Sequence, residues 1–327
     1  MKKTAKARAV IYGILIALIF FEAFDLLGGY DFIKAATFTP SPEMEQVIDN
    51  INLTSRGERI LKASSPTLDS RDVFNEKCDS HNAEIYVLGC YLTGDDAIHL
   101  YNIDSDELDG VIESTAAHEL LHAVYNRLPF WEKTSLNNQL KAVYNSLDEN
   151  DEIKTSMQLY SDDDFYDELH SRLGTEIKNL PYDLEKHYAA IFEDQDTIVD
   201  YYERYSGTFK KYESELKELE QKINNLKNDI EAEEARLTNL SNELNIKIDN
   251  YNTRVKQRNY TSVEVIRAEG KILQTEIDNI NSAYDALNVK INEYNNAIIE
   301  YNNKVIRTNQ VFDSINSNSM NVNSVSN

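Results

Sequence analysis

Positive charge is scarce in this chain: 33 Lys and Arg stand against 56 Asp and Glu, a formal net charge of -23. Nucleic acids attract basic surfaces, so this balance argues against them as a partner class. It leaves a basic substrate open and names no ligand by itself. Cysteine is scarcer still. Cys78 and Cys90 are the only two, which excludes a disulfide-dense scaffold. They either close one local disulfide or stand unpaired in a strand pair. Long apolar runs are lacking too: the N-terminal one, residues 9–21, is short for a membrane span, which takes about 20 residues. What the chain does have is length, 327 residues, enough for one or two domains with a real core.

Lys2, Lys3, Lys6 and Arg8 precede the apolar run, and Glu22 and Asp25 follow it, ahead of Leu26-Leu27-Gly28-Gly29. Four cations before an apolar segment predict a cytoplasmic tail over residues 1–8 and export of everything beyond. No small-x-small cleavage site directly follows the run. Residues 9–28 are therefore expected to form a transmembrane signal anchor, with a cleaved signal peptide as the other reading. The expected location is the cell membrane, single-pass, with the remaining chain extracytoplasmic.

Beyond a short Pro-containing linker at 37–42, Met44, Val47, Ile48 and Ile51 recur at helical spacing, and Ile60 and Leu61 suggest a second helix after a break at Gly57. Residues 84–92 and 97–103 are rich in β-branched and aromatic residues and flank Gly94-Asp95-Asp96, predicting an antiparallel strand pair. A helix is expected from about 108 to 128, where Pro129 stops it. Further helices are expected over 132–147, 165–173 and 184–205. After residue 205 two apolar series appear, beginning Leu216, Leu219, Ile223, Leu226 and Leu273, Ile277, Ile280, Tyr284. Sustained steps of three and four mean coiled coil. A polar break at 257–262 favours an antiparallel hairpin over 206–312, with a single rod or pairing between chains as alternatives. The Ser/Asn-rich tail, 313–327, reads as disordered. The expected fold class is α+β: a small domain over 37–205, with short antiparallel strands and a helical core, then the coiled-coil hairpin.

The chemistry-bearing motif is His118-Glu119-Leu120-Leu121-His122. On a helix, positions i and i+4 lie one turn apart on one face, so both imidazoles reach a single metal ion. Zinc accepts neutral imidazole nitrogen in tetrahedral sites. Glu119, beside the first ligand, is placed to act as general base and then acid toward a zinc-activated water. The flanks Ala116, Ala117, Ala123 and Val124 set the motif in a buried helix, where two histidines and a glutamate would be costly without partners. The alternative is a core helix whose polar residues are satisfied otherwise.

A catalytic zinc needs a third protein ligand and an open position. Three and six residues beyond His122 stand Tyr125 and Leu128, so the metzincin Gly and His are absent. The run Asp167-Glu168-Leu169-His170-Ser171 instead resembles the Asn-Glu-x-x-Ser run of thermolysin-like enzymes, and residues 84–178 resemble the gluzincin class of HExxH zinc metallopeptidases. Asp167 replaces Asn, and Arg172 stands where an acid is usual, so the match is partial. The resemblance implies His118, His122 and Glu168 as ligands of one zinc per chain and Glu119 as catalytic residue. Glu176 and His170 are rivals for the third ligand. It further implies that strand 97–103 is the edge that pairs with an extended protein or peptide substrate, and that a tyrosine, Tyr166, Tyr182 or Tyr188, supplies the oxyanion donor.

The reading is a membrane-anchored extracytoplasmic zinc endopeptidase with a coiled coil that either recruits a partner, self-associates or spaces the domain. The first alternative is a catalytically inactive surface or adhesion protein with a metallopeptidase-like domain. The second is a coiled-coil interaction protein with a closed structural zinc, which the lack of nearby cysteines disfavours. His81 and His99 read as loop and strand polar residues, and His187 as a helix-surface residue or a support to a ligand.

Overall fold

The computed structural model describes residues 29–78, 87–161 and 164–316. These are mostly helical around one small sheet and form two compact units, one of the described residues up to Thr208 together with 311–316, and the other Phe209–Gln310.

The first unit opens with α1 (Gly29–Thr37), α2 (Pro42–Ile51) and α3 (Ser55–Ala63). Ser41 caps α2 by accepting from the Met44 N–H at 3.2 Å, with Pro42 pre-set for the first turn. Met44, Val47, Ile48 and Ile51 are its buried face, as their spacing predicts. The break before α3 falls at Asn52, in left-handed conformation with φ 52°, and Thr54 caps the new helix. Gly57, expected to interrupt, lies inside α3.

The sheet has three strands, β1 (Thr67–Asp69), β2 (Gly89–Leu92) and β3 (Ala97–Tyr101), with α4 (Arg71–Lys77) between the first two. The predicted antiparallel pair is present as β2 on β3, with Cys90 opposite His99. The expectation of antiparallel strands only is corrected by β1, which runs parallel to β3 and makes it the central strand, in the order β1-β3-β2. Three residues are too few to show periodicity, which is why β1 escaped notice. Consequently β3 is no edge, and the expected substrate-pairing role of 97–103 is corrected: a strand with partners on both sides has no backbone groups left to offer.

Next come α5 (Val111–Arg127), α6 (Phe130–Ser146), α7 (Glu152–Met157), α8 (Phe165–Glu176) and α9 (Tyr182–Tyr188). The motif helix α5 ends at Leu128, ahead of Pro129. Its Ala116, Ala117, Leu120, Leu121 and Ala123 are fully buried, and the small side chains let the sheet, α2, α3 and above all α8 pack around it. The single helix expected over 184–205 is two: after α9 the chain turns through 189–194, and Asp194 accepts from Asp196 and Thr197 to start α10 (Gln195–Lys256).

In the second unit α10 pairs with α11 (Val263–Ile315). Lys304 bonds Glu215, Lys290 bonds Asp229 and Lys247 bonds Glu276. One number rises as the other falls, so the helices are antiparallel. Leu237, Leu244, Leu273 and Leu287 are buried along the seam.

Residues 1–28, including the expected cytoplasmic tail and transmembrane signal anchor at 9–28, lie outside the described residues, as do His81 and 317–327. No helix among the described residues is long and apolar enough to cross a membrane. The nearest, α1, has nine residues and carries Asp31 and Lys34 in ion pairs with Arg127 and Asp96, whereas a span takes about 20 apolar residues. The expected anchor and the cell-membrane location drawn from it are corrected accordingly.

Candidate metal centre

Helical geometry brings His118 and His122 together on α5, with ring centroids 4.9 Å apart and Nε2 atoms 3.2 Å apart. From α8 the Glu168 side chain reaches the same point, its Oε2 lying 3.7 Å from His118 Nε2 and 3.5 Å from His122 Nε2. These three donors form a compact triangle. A tetrahedral ion with bonds of about 2.0–2.2 Å has ligand–ligand edges of about 3.3–3.6 Å, so the triangle has the size of one face of such a site.

Two further observations concern the fit to a cation. Glu168 is 5 % exposed, and its Oε1 is buried with no hydrogen-bond partner among the described residues. A buried carboxylate oxygen left so is costly unless something else satisfies it. On the other side, His122 Nδ1 lies 2.9 Å from Asp167 Oδ1. An N–H donated there leaves Nε2 with its lone pair toward the triangle, the carboxylate–histidine arrangement that orients metal ligands. The donor set therefore fits a divalent ion that accepts imidazole and carboxylate.

The electrostatics agree. Burial pushes the Glu168 carboxyl up, but the His118 charge and hydrogen bonds from both imidazoles outweigh it and hold the group well below the usual carboxylate range. Burial likewise opposes charge on the two histidines, yet Glu168 raises His118, and Asp167 with Glu168 raises His122 well above its ordinary value. Such a site attracts positive charge, which protons supply when nothing else does. Metal binding would release them.

Glu119, 6 % exposed, completes the constellation from the same helix. It contributes to the field that raises both histidines. Directly above it runs β2, where Gly89 has no side chain to intrude.

The rivals for the third ligand are engaged elsewhere. Glu176 is half-buried against Arg172, at 2.8 and 3.1 Å from its Nε and Nη2, and desolvation raises its pKa. His170 faces away from Glu168 into the core, with Nε2 2.9 Å from His187 Nε2 and its ring stacked on Tyr188. His187, expected on a helix surface or behind a ligand, instead pairs with His170. Of the tyrosines, Tyr188 is buried and donates to the His170 carbonyl at 2.8 Å. Tyr182 is 75 % exposed at the start of α9. Tyr166 alone stands on α8, beside Asp167. His99 bonds Asp69 at 2.7 Å and ties β3 to β1. Sequence reasoning missed the contribution of Asp167, although its position next to Glu168 was the available signal, and it missed Gly89, for which no local signal exists.

Compared with known proteins, the chain matches no family model, no curated protein and no solved structure.

Proposed function

We propose that this chain is a zinc-dependent endopeptidase of the gluzincin type, cleaving protein or peptide substrates. The observation that carries the reading is the convergence of His118, His122 and Glu168 at tetrahedral spacing, within the field of Glu119, with a buried Glu168 oxygen that has no partner among the described residues. His118, His122 and Glu168 would hold the ion, and Asp167 would fix the His122 tautomer. A bound zinc would supply Lewis acidity toward the scissile carbonyl and would bring the pKa of water to about 7. Glu119 then takes the proton from the attacking water and returns it to the leaving amine nitrogen. Its burial keeps competing solvent away from that transfer.

The substrate would lie extended along β2, one of the two edge strands and the one that runs over Glu119. Because the Tyr101 N–H bonds the Leu88 carbonyl at 2.8 Å, alternation turns the peptide groups of Gly89 and Tyr91 away from β3. They are the groups available to pair with another strand.

The test compares the full chain with Glu119→Ala for zinc content and for hydrolysis of casein. We expect about one zinc per chain in both, with activity falling by about 10²–10⁴-fold in the variant. A wild type that binds no zinc, or a Glu119→Ala variant that keeps full activity, would sink the proposal.

A further inference from the structure

β2 crosses the motif helix at very short range. Gly89 is buried, and a methyl group on its Cα would stand 2.6 Å from Thr115 Cγ2, 2.8 Å from Glu119 Cγ and 2.9 Å from Glu119 Oε1. Ordinary carbon contacts are about 3.5–4.0 Å, so no side chain fits between β2 and Glu119 unless one of them moves. Thr115 and Glu119 are one turn apart on α5, and the backbone at Gly89 lies over both.

The strand is poorly placed to yield. Gly89 opposes Leu100 in register, and the preceding carbonyl accepts from Tyr101. The next residue, Cys90, is bridged to Cys78 at the end of α4. α4 is itself held to β3, through Phe74 against the Tyr101 ring and Arg71 on the Tyr101 hydroxyl. β3 in turn is tied to β1 through His99 and Asp69. A glutamate side chain has three rotatable bonds, and a fixed wall on one side removes part of that freedom.

We infer that Gly89 is a positioning residue for Glu119: the bare backbone of β2 is the seat that aims this carboxylate beside His118 and His122. Its consequence for catalysis rests on the peptidase reading, but the seat itself does not, and the two can be tested apart. Substitution of Gly89 acts through Glu119 rather than through the metal ligands, whose donors come from other parts of α5 and from α8.

The experiment is a double-mutant cycle in the full chain between Gly89→Ala and Glu119→Ala, read by urea unfolding, with zinc content and casein kinetics of Gly89→Ala measured alongside. Gly89→Ala should keep about one zinc per chain and lose about 10²-fold in kcat, with KM nearly unchanged. In unfolding, it should be much more damaging with Glu119 present than in the Glu119→Ala background, by about tenfold or more in the equilibrium constant. Equal effects in the two backgrounds, loss of zinc from Gly89→Ala, or wild-type kcat in that variant would each overturn the inference. If Gly89→Ala fails to fold, recovery of folding on adding Glu119→Ala supports the seat, whereas failure of both variants assigns the contact to Thr115 and overturns it. Absence of hydrolysis by wild type defeats the peptidase proposal alone, because the unfolding cycle still reads the seat.

Discussion

His122 shows how much one side chain depends on its neighbours. Its Nε2 faces His118 and Glu168, and its Nδ1 meets Asp167 at 2.9 Å. If that contact fixes the tautomer, Asp167→Ala should weaken zinc binding by about 10–100-fold, measured by competition with a chromophoric chelator. An unchanged affinity would mean that Asp167 only decorates the rim. The His170–His187 pair behaves oppositely to the site histidines. Burial holds His187 down to about 4, and burial together with the His187 charge keeps His170 well below its ordinary value. Both titrate near 6.5 once unfolded. As pH falls from about 6.5 toward 4, the unfolded chain binds protons that the folded chain refuses. Stability present above that window is therefore lost within it. His118 and His122, raised in the metal-free protein, act with the opposite sign, so the comparison must isolate the pair. The acid-side drop in Tm should be shallower for His187→Gln than for wild type, both in chelator. A parallel pair of curves would refute this.

At the scale of elements, the histidine motif was legible because helical periodicity is local: Ala116, Leu120, Ala123 and Val124 announce a buried helix around it, and four residues always return to the same face. The strands were less legible. β1 is three residues long, and its parallel pairing joins residues about thirty positions apart, which no window of periodicity can see. The same holds for the turn between α9 and α10, where Leu53 bridges Phe192. The disulfide belongs to this scale as well. Cys78 closes α4 and Cys90 lies in β2, with a sequence separation of 12. Loop-closure entropy for such a ring is about 3 kcal/mol. Replacing both cysteines by serine should lower the unfolding free energy by about 2–4 kcal/mol in urea titrations. A variant as stable as wild type would show that the β2–β3 ladder holds the strand unaided.

For the whole molecule, two compact units carry separate burdens. His118, His122 and Glu168 all belong to the first, and the antiparallel α10–α11 seam to the second. Zinc bound only by the folded first unit would stabilise it by about 4 kcal/mol at free zinc 1,000-fold above Kd. Calorimetry with and without chelator should therefore move one transition by several degrees and leave the hairpin's transition in place. Movement of neither would argue against a metal site, and movement of both would show that the units unfold together. What the sequence determined by itself is whatever depends on neighbours along the chain: the helical spacing, the caps at Ser41 and Thr54, the stop at Pro129, the two-histidine face and the heptad seam. Only the tertiary structure decided which carboxylate meets the histidines, forty-six residues beyond His122, that Glu176 and His170 are spent elsewhere, and that β2 rather than β3 forms the edge beside Glu119. Those outcomes turn on the close packing of α8 and β2 around α5, a competition among distant contacts that local residue order does not encode in any readable period.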